Sequence, residues 1–135
     1  MDIVGSDAPQ SSRGAGMALR IEIFVADLDA FVFYTRVLGF ELNSDRRTAV
    51  TPYAAVVRDT VRTGAVHQWT SVDRGQRAVP TGTEVVLEVD DLDAEYRRVT
   101  AVGWPLAEEV RQRPWGLTDF RVYDPDGYYI RITDR

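Results

Sequence analysis

The sequence predicts an α+β fold made of two tandem βαβββ modules. Two observations carry this. The chain repeats itself: Val25-Ala26-Asp27-Leu28-Asp29-Ala30 returns as Val89-Asp90-Asp91-Leu92-Asp93-Ala94 after 64 residues, and the same shift brings Gly39-Phe40 onto Gly103-Trp104 and Leu42 onto Leu106. Within each copy the apolar spacing passes from period two to a helical period and back. A unit of about 55–60 residues is too small to hold a robust core alone, so the two copies form one domain.

The first strand is expected over Leu19–Val25, where Leu19, Ile21, Ile23 and Val25 alternate with Arg20, Glu22 and Phe24. Asp27 reads as an N-cap for a helix over Leu28–Leu38, and Gly39 as its left-handed terminator. Three strands follow: Phe40–Asn43, Tyr53–Asp59 and Gly64–Val72. The second module repeats the order, with a strand at Thr83–Val89, a helix from an Asp91 cap to Gly103, and strands at Leu106–Arg111, Leu117–Tyr123 and Tyr128–Thr133. Asp124-Pro125-Asp126-Gly127 reads as a tight hairpin, because proline presets φ and glycine accepts a positive one. The expected division is a disordered tail over 1–17, module one over 18–74, a linker over 75–82 and module two over 83–135.

Composition narrows the function. The chain has no cysteine, which excludes disulfides, a thiol nucleophile and thiolate metal sites. A net charge of −5 argues against nucleic acid as a partner. All 16 cationic residues are arginine. No apolar run is long enough for a membrane span, and the polar start does not read as a signal peptide, so a cytoplasmic location is expected.

The Val-Ala-Asp-Leu strand exit, Phe33-Tyr34…Leu38-Gly39-Phe40, and Asp124-Pro125-Asp126-Gly127-Tyr128 before the last strand resemble the vicinal oxygen chelate superfamily. That group holds glyoxalase I, extradiol dioxygenases and bleomycin-resistance proteins, and the likeness covers about residues 18–134. It implies a curved mixed-sheet cup with helices outside, and a homodimer whose cleft is built from both modules. Because the fold serves enzymes and binders alike, function must be argued from the site.

Period-two reading then sorts the side chains. Ile21, Ile23, Val85, Leu87, Phe120, Val122, Ile130 and Ile132 should face the helices. The cup face should present Arg20, Glu22, Phe24, Glu84, Val86, Glu88, Arg121, Tyr123, Tyr129 and Arg131. The repeat shift places His67 opposite Arg131 in the alignment of modules, so His67 and Trp69 join that face. The resemblance puts metal positions at Arg20, His67 (or Gln68), Glu84 and Arg131. Guanidinium has no lone pair to give and repels a cation, so no metal and no cofactor are expected. Two roles remain open for these residues: Arg20, Glu84 and Arg131 pair as a structural network, or an arginine donates to a ligand oxygen.

Trp104 matches Phe40 in the repeat and is expected in the core. Trp115, on the rigid Arg113-Pro114-Trp115-Gly116 loop, and Trp69 are expected as aromatic walls. The expected ligand site is thus Arg20, Glu22, Phe24, Tyr53, His67 and Trp69 from module one. Module two adds Glu84, Glu88, Trp115, Tyr123, Tyr129 and Arg131. The expected function is metal-independent binding and sequestration of an aromatic natural product, an antibiotic, for self-resistance. The rival is a metal-independent isomerase, cyclase or lyase using Glu22, Glu84, Glu88 or His67 as base. An accessory subunit without a small ligand is the third reading.

Overall fold

The computed structural model describes residues 16–28, 31–50, 52–67 and 83–135, and for His67 the backbone alone. The tail over 1–15, the linker over 75–82, Trp69 and the expected strand continuation to Val72 lie outside the described residues. Two four-stranded sheets follow the same plan. The first runs in the order β1 (Ile21–Val25), β4 (Val61–His67), β3 (Tyr53–Arg58), β2 (Glu41–Arg46). The second runs β5 (Val85–Glu88), β8 (Tyr129–Thr133), β7 (Thr118–Tyr123), β6 (Glu108–Gln112). In each the first strand lies parallel to the last and the other pairs are antiparallel. The expected α+β architecture of two tandem modules is therefore present.

The second helix forms as read. α1 spans Leu92–Val102; the Asp91 carboxylate accepts the Ala94 N–H at 3.0 Å, and Gly103 closes it at φ 85°. The first helix departs from the expected α-helix. After a turn at Phe31 and Val32 the backbone widens into a π-helix over Phe33–Val37, and the Leu38 N–H reaches Phe33 O at 3.3 Å. The segment carries Phe33, Tyr34, Val37 and Leu38 all into the core. Gly39 ends the segment at φ 74°, as its left-handed reading requires.

One apolar core serves both modules, drawing Ile23, Val56 and Tyr34 from the first and Val99, Phe120 and Ile132 from the second. Ile21, Val85 and Leu87 pack at its margin, so the residues expected to face the helices do so. Trp104 belongs here too. Its ring lies 4.7 Å from Phe33 and its Nε1–H donates to Tyr123 O at 2.8 Å.

The Asp124–Gly127 hairpin joins the modules. Gly127 sits at φ 89°, as expected, and Asp124 accepts from the amides of Asp126 and Tyr128, each at 2.9 Å. From there Asp124 accepts the Tyr34 hydroxyl at 2.7 Å, Asp126 accepts the Ala26 N–H at 2.9 Å, and the Tyr128 hydroxyl accepts the Phe24 N–H at 3.0 Å. Burial pushes the Asp124 carboxyl above the usual range, against the hydrogen bonds that favour its charge. Burial, followed by Asp124 itself, raises Tyr34 well above an ordinary phenol.

Candidate functional site

Strand alternation leaves each sheet a face turned away from the core. In module one Glu22 lies on it beside Gly64, its partner across the parallel ladder. The Tyr53 hydroxyl donates to Glu22 at 2.9 Å and Arg20 Nε pairs with the same carboxylate oxygen at 2.8 Å. A side chain at position 64 would collide with the Tyr53 hydroxyl and the Glu22 carboxylate, so the glycine makes room for this pair to lie across the strand. Burial, then the bond to Glu22, raises the Tyr53 phenol. Phe24, on the same face, is 46 % exposed.

The face of module two is a packed ion network. Arg113 donates to Glu108 Oε1 and to Asp119 Oδ1, both at 2.8 Å. Arg121 donates to Asp119 Oδ2 at 3.2 Å and to the Tyr129 hydroxyl at 3.1 Å, and that hydroxyl donates to Glu108 Oε2 at 3.2 Å. Asp119 is wholly buried, and burial opposes its charge, yet the bonds from Arg121 and Arg113 hold it below the usual carboxylate range. Glu108 is lowered by the Arg113 hydrogen bond above all. Sequence reasoning missed Arg113, Glu108 and Asp119. The close sequence positions of Arg113 and Asp119, flanking a Trp-Gly turn, were the one signal available.

Arg131 stands next to this network, paired directly with Arg121 across the β7–β8 ladder and with Val86 across β5–β8. Its Nη2 donates to Glu84 Oε1 at 2.8 Å, and its Cζ lies 5.9 Å from the centre of the Trp115 ring. Trp115 itself is 57 % exposed on the turn that closes β6 onto β7. The Tyr123 and Tyr129 rings meet at 5.3 Å, tilted by 55°, on the same face. Glu88 is exposed, opposite Thr133 at the end of β5.

Two expectations are corrected. The cup floor is not one Arg20–Glu84–Arg131 network, because Arg20 pairs with Glu22 in its own strand and leaves Glu84 to Arg131. Nor is His67 the counterpart of Arg131. The ladders match Glu22 with Gly64 and Val86 with Arg131, so the counterpart of Arg131 is Gly64. The 64-residue shift grows along the module because residues are added in the connections before β6, between β6 and β7 and between β7 and β8, while the bulges of the two outer strand pairs match and cancel. His67 pairs by backbone with Val25.

These residues do not fit a divalent metal. Two of the four positions are arginines, Glu84 is held by one of them, and no three His, Asp or Glu of the described residues come together as ligands. Among the described residues no helix is long and apolar enough to cross a membrane.

The family model described as the Glyoxalase/Bleomycin resistance protein/Dioxygenase superfamily matches residues 18–132. The chain belongs to this superfamily. No curated protein sequence matches the chain significantly. Among solved structures of the superfamily fold, TioX from Micromonospora sp. ML1 is similar at 24 % identity and a TM-score of 0.70, covering 88 % of this chain and 98 % of its own. A bleomycin resistance determinant encoded on transposon Tn5 is similar at 18 % identity and a TM-score of 0.71, covering 89 % and 98 %. TnmS3, an antibiotic binding protein from Streptomyces sp. CB03234, is similar at 23 % identity and a TM-score of 0.64, covering 88 % and 95 %. Glyoxalase-superfamily membership fixes the fold; the face described above has to supply the function.

Proposed function

We propose that this protein binds and sequesters an aromatic natural product, an antibiotic, without metal or cofactor, in the manner of the resistance proteins whose fold it shares. The observation that carries the reading is the exposed Trp115 ring lying against Arg131, on the same face as the tilted ring pair Tyr123 and Tyr129. Flat, rigid rings with polar groups between them give area at low entropic cost and fix orientation. Two of the carboxylates expected as bases in the rival reading are committed: Glu22 accepts from Tyr53 and Arg20, and Glu84 accepts from Arg131; Glu88 is exposed at the end of β5. Sequestration needs affinity and a slow off-rate alone.

The ligand site of this proposal runs over both open faces, with Arg20, Glu22, Phe24 and Tyr53 from one and Glu84, Glu88, Trp115, Tyr123, Tyr129 and Arg131 from the other; the expected His67 leaves it, since its backbone pairs with buried Val25. A homodimer completes it, since Phe24 and Val86 leave apolar surface on those faces for a second copy to cover. Titration with a panel of aromatic antibiotics, read by tryptophan fluorescence, should give saturable quenching. Sedimentation should give a dimer at micromolar concentration. A panel without any saturable quencher would remove the reading.

A further inference from the structure

We propose that the guest carries an acidic oxygen in or beside its aromatic plane, and that Arg131 is the residue that takes it. This rests on the binding reading above and adds the charge of the ligand to it.

Four arginines share the open face of module two: Arg111, opposite Asp119 on the rim strand, and Arg113, Arg121 and Arg131, which are not equivalent. Arg113 donates from Nε and Nη2 to Asp119 and Glu108, and Arg121 donates from all three nitrogens to Asp119 and Tyr129. Of the five N–H donors of Arg131, the contact with Glu84 uses Nη2, and Nε is buried with no acceptor among the described residues. A buried donor without a partner is costly, so this corner is incomplete as it stands. Trp115 stands against the same guanidinium on an exposed turn. A planar ring sliding along that indole brings its in-plane substituent to the edge of the guanidinium fork, where an anionic oxygen can accept two parallel hydrogen bonds.

The local charges select the same class. Arg121 and Arg131 are direct neighbours across the ladder, while Glu108 and Asp119 are closed off by arginines. A cationic guest would meet two adjacent guanidiniums and no uncommitted carboxylate at that corner. The chain as a whole carries −5, which pulls the other way. Distance decides between them: screening weakens exposed charges beyond about 8–10 Å, whereas Arg131 acts at contact. Glu84 is then the internal stand-in for the anion, neutralising Arg131 when no guest is bound.

The test uses two dyes with the same rings, 1-anilinonaphthalene-8-sulfonate and the uncharged N-phenyl-1-naphthylamine, on the full chain and two folded variants. Arg131→Gln should weaken the sulfonate by about tenfold or more and leave the uncharged dye within about twofold. Glu84→Gln removes the competing carboxylate and should tighten the sulfonate severalfold relative to the uncharged dye; it also serves if Arg131→Gln does not fold. Equal weakening of both dyes by Arg131→Gln, or no tightening by Glu84→Gln, overturns the inference. Saturable binding of the uncharged dye alone overturns it too and leaves the aromatic-binding reading standing; saturable binding of neither dye overturns both.

Discussion

Arg58 of the first module reaches across to Glu95 on α1 of the second, and both oxygens of that carboxylate are taken by its guanidinium. The same Nη1 also donates to Leu38 O at 2.8 Å, satisfying a carbonyl at the end of the π-helix. One side chain thereby ties β3, the first helix and the second helix together. Glu95 is buried and Arg58 is 29 % exposed, so the pair is neither a surface bridge nor a fully desolvated one.

Removing one partner of such a pair strands the other. Glu95→Ala should therefore cost about 3 kcal/mol in urea unfolding, the lower end of the range for buried pairs because solvent still reaches Arg58. Arg135→Ala, which breaks the exposed bridge to Asp90, should leave the midpoint unchanged within error. Equal effects from the two variants would show that Arg58–Glu95 does not hold the modules together.

Gly64 has a different duty. Because its missing side chain gives Tyr53 and Glu22 their place, Gly64→Ala should destabilise by about 1–3 kcal/mol. The same change in a Tyr53→Phe background should cost less, since the hydroxyl in the way is gone, with a coupling of about 1 kcal/mol. Strict additivity in the double-mutant cycle would contradict this account of the glycine.

Asp124 gives a pH dependence with a defined sign. Its folded value is raised by burial, so the native state holds the proton more tightly than the unfolded chain, where the group titrates near about 4. Its contribution is complete below that value and is lost as pH rises through the higher folded one. Asn at this position can still meet the Tyr34 hydroxyl and does not titrate. Stability of Asp124→Asn relative to the parent should accordingly improve as pH is raised from about 4, followed by chemical denaturation at several pH values. A difference that stays flat, or runs the other way, rejects the assignment.

The tryptophans should separate function from stability. Trp104 packs on Phe33 and bonds Tyr123 O, so Trp104→Ala should cost about 3 kcal/mol of stability. Trp115→Ala should leave the melting temperature nearly unchanged and weaken ligand binding by about tenfold or more, through a faster off-rate. The reverse pattern would mean that the two indoles have each other's roles.

Local chemistry explains what the sequence disclosed. The Asp91 cap, the left-handed Gly39, Gly103 and Gly127, and the alternation that buries Phe120, Val122, Ile130 and Ile132 each depend on neighbours a few residues away. The repeat added the order of strands. Register was beyond it, because residues added in the connections between the strands of module two move the counterpart of Arg131 from His67 to Gly64. The π-turn at Phe33 was equally hidden, since Phe33, Tyr34, Val37 and Leu38 are spaced as one face of an ordinary α-helix. Arg58–Glu95 and Tyr34–Asp124 join residues 37 and 90 positions apart, and a single sequence carries no trace of such pairs. On the open face, the Glu84–Arg131 contact was legible from the strand alternation, whereas the Arg113–Asp119–Arg121 network beside it was not.

The central claim is that this chain holds an aromatic guest and does nothing to it. The most direct measurement incubates the protein with the tightest quencher of the panel, releases the bound compound by denaturation and compares its mass and NMR spectrum with those of the starting compound. One ligand per site, unchanged in mass and spectrum after prolonged incubation, is the predicted result. A recovered compound of altered mass, or of the same mass and a different spectrum, accumulating with time and in excess of the protein, would contradict sequestration and make the protein an enzyme.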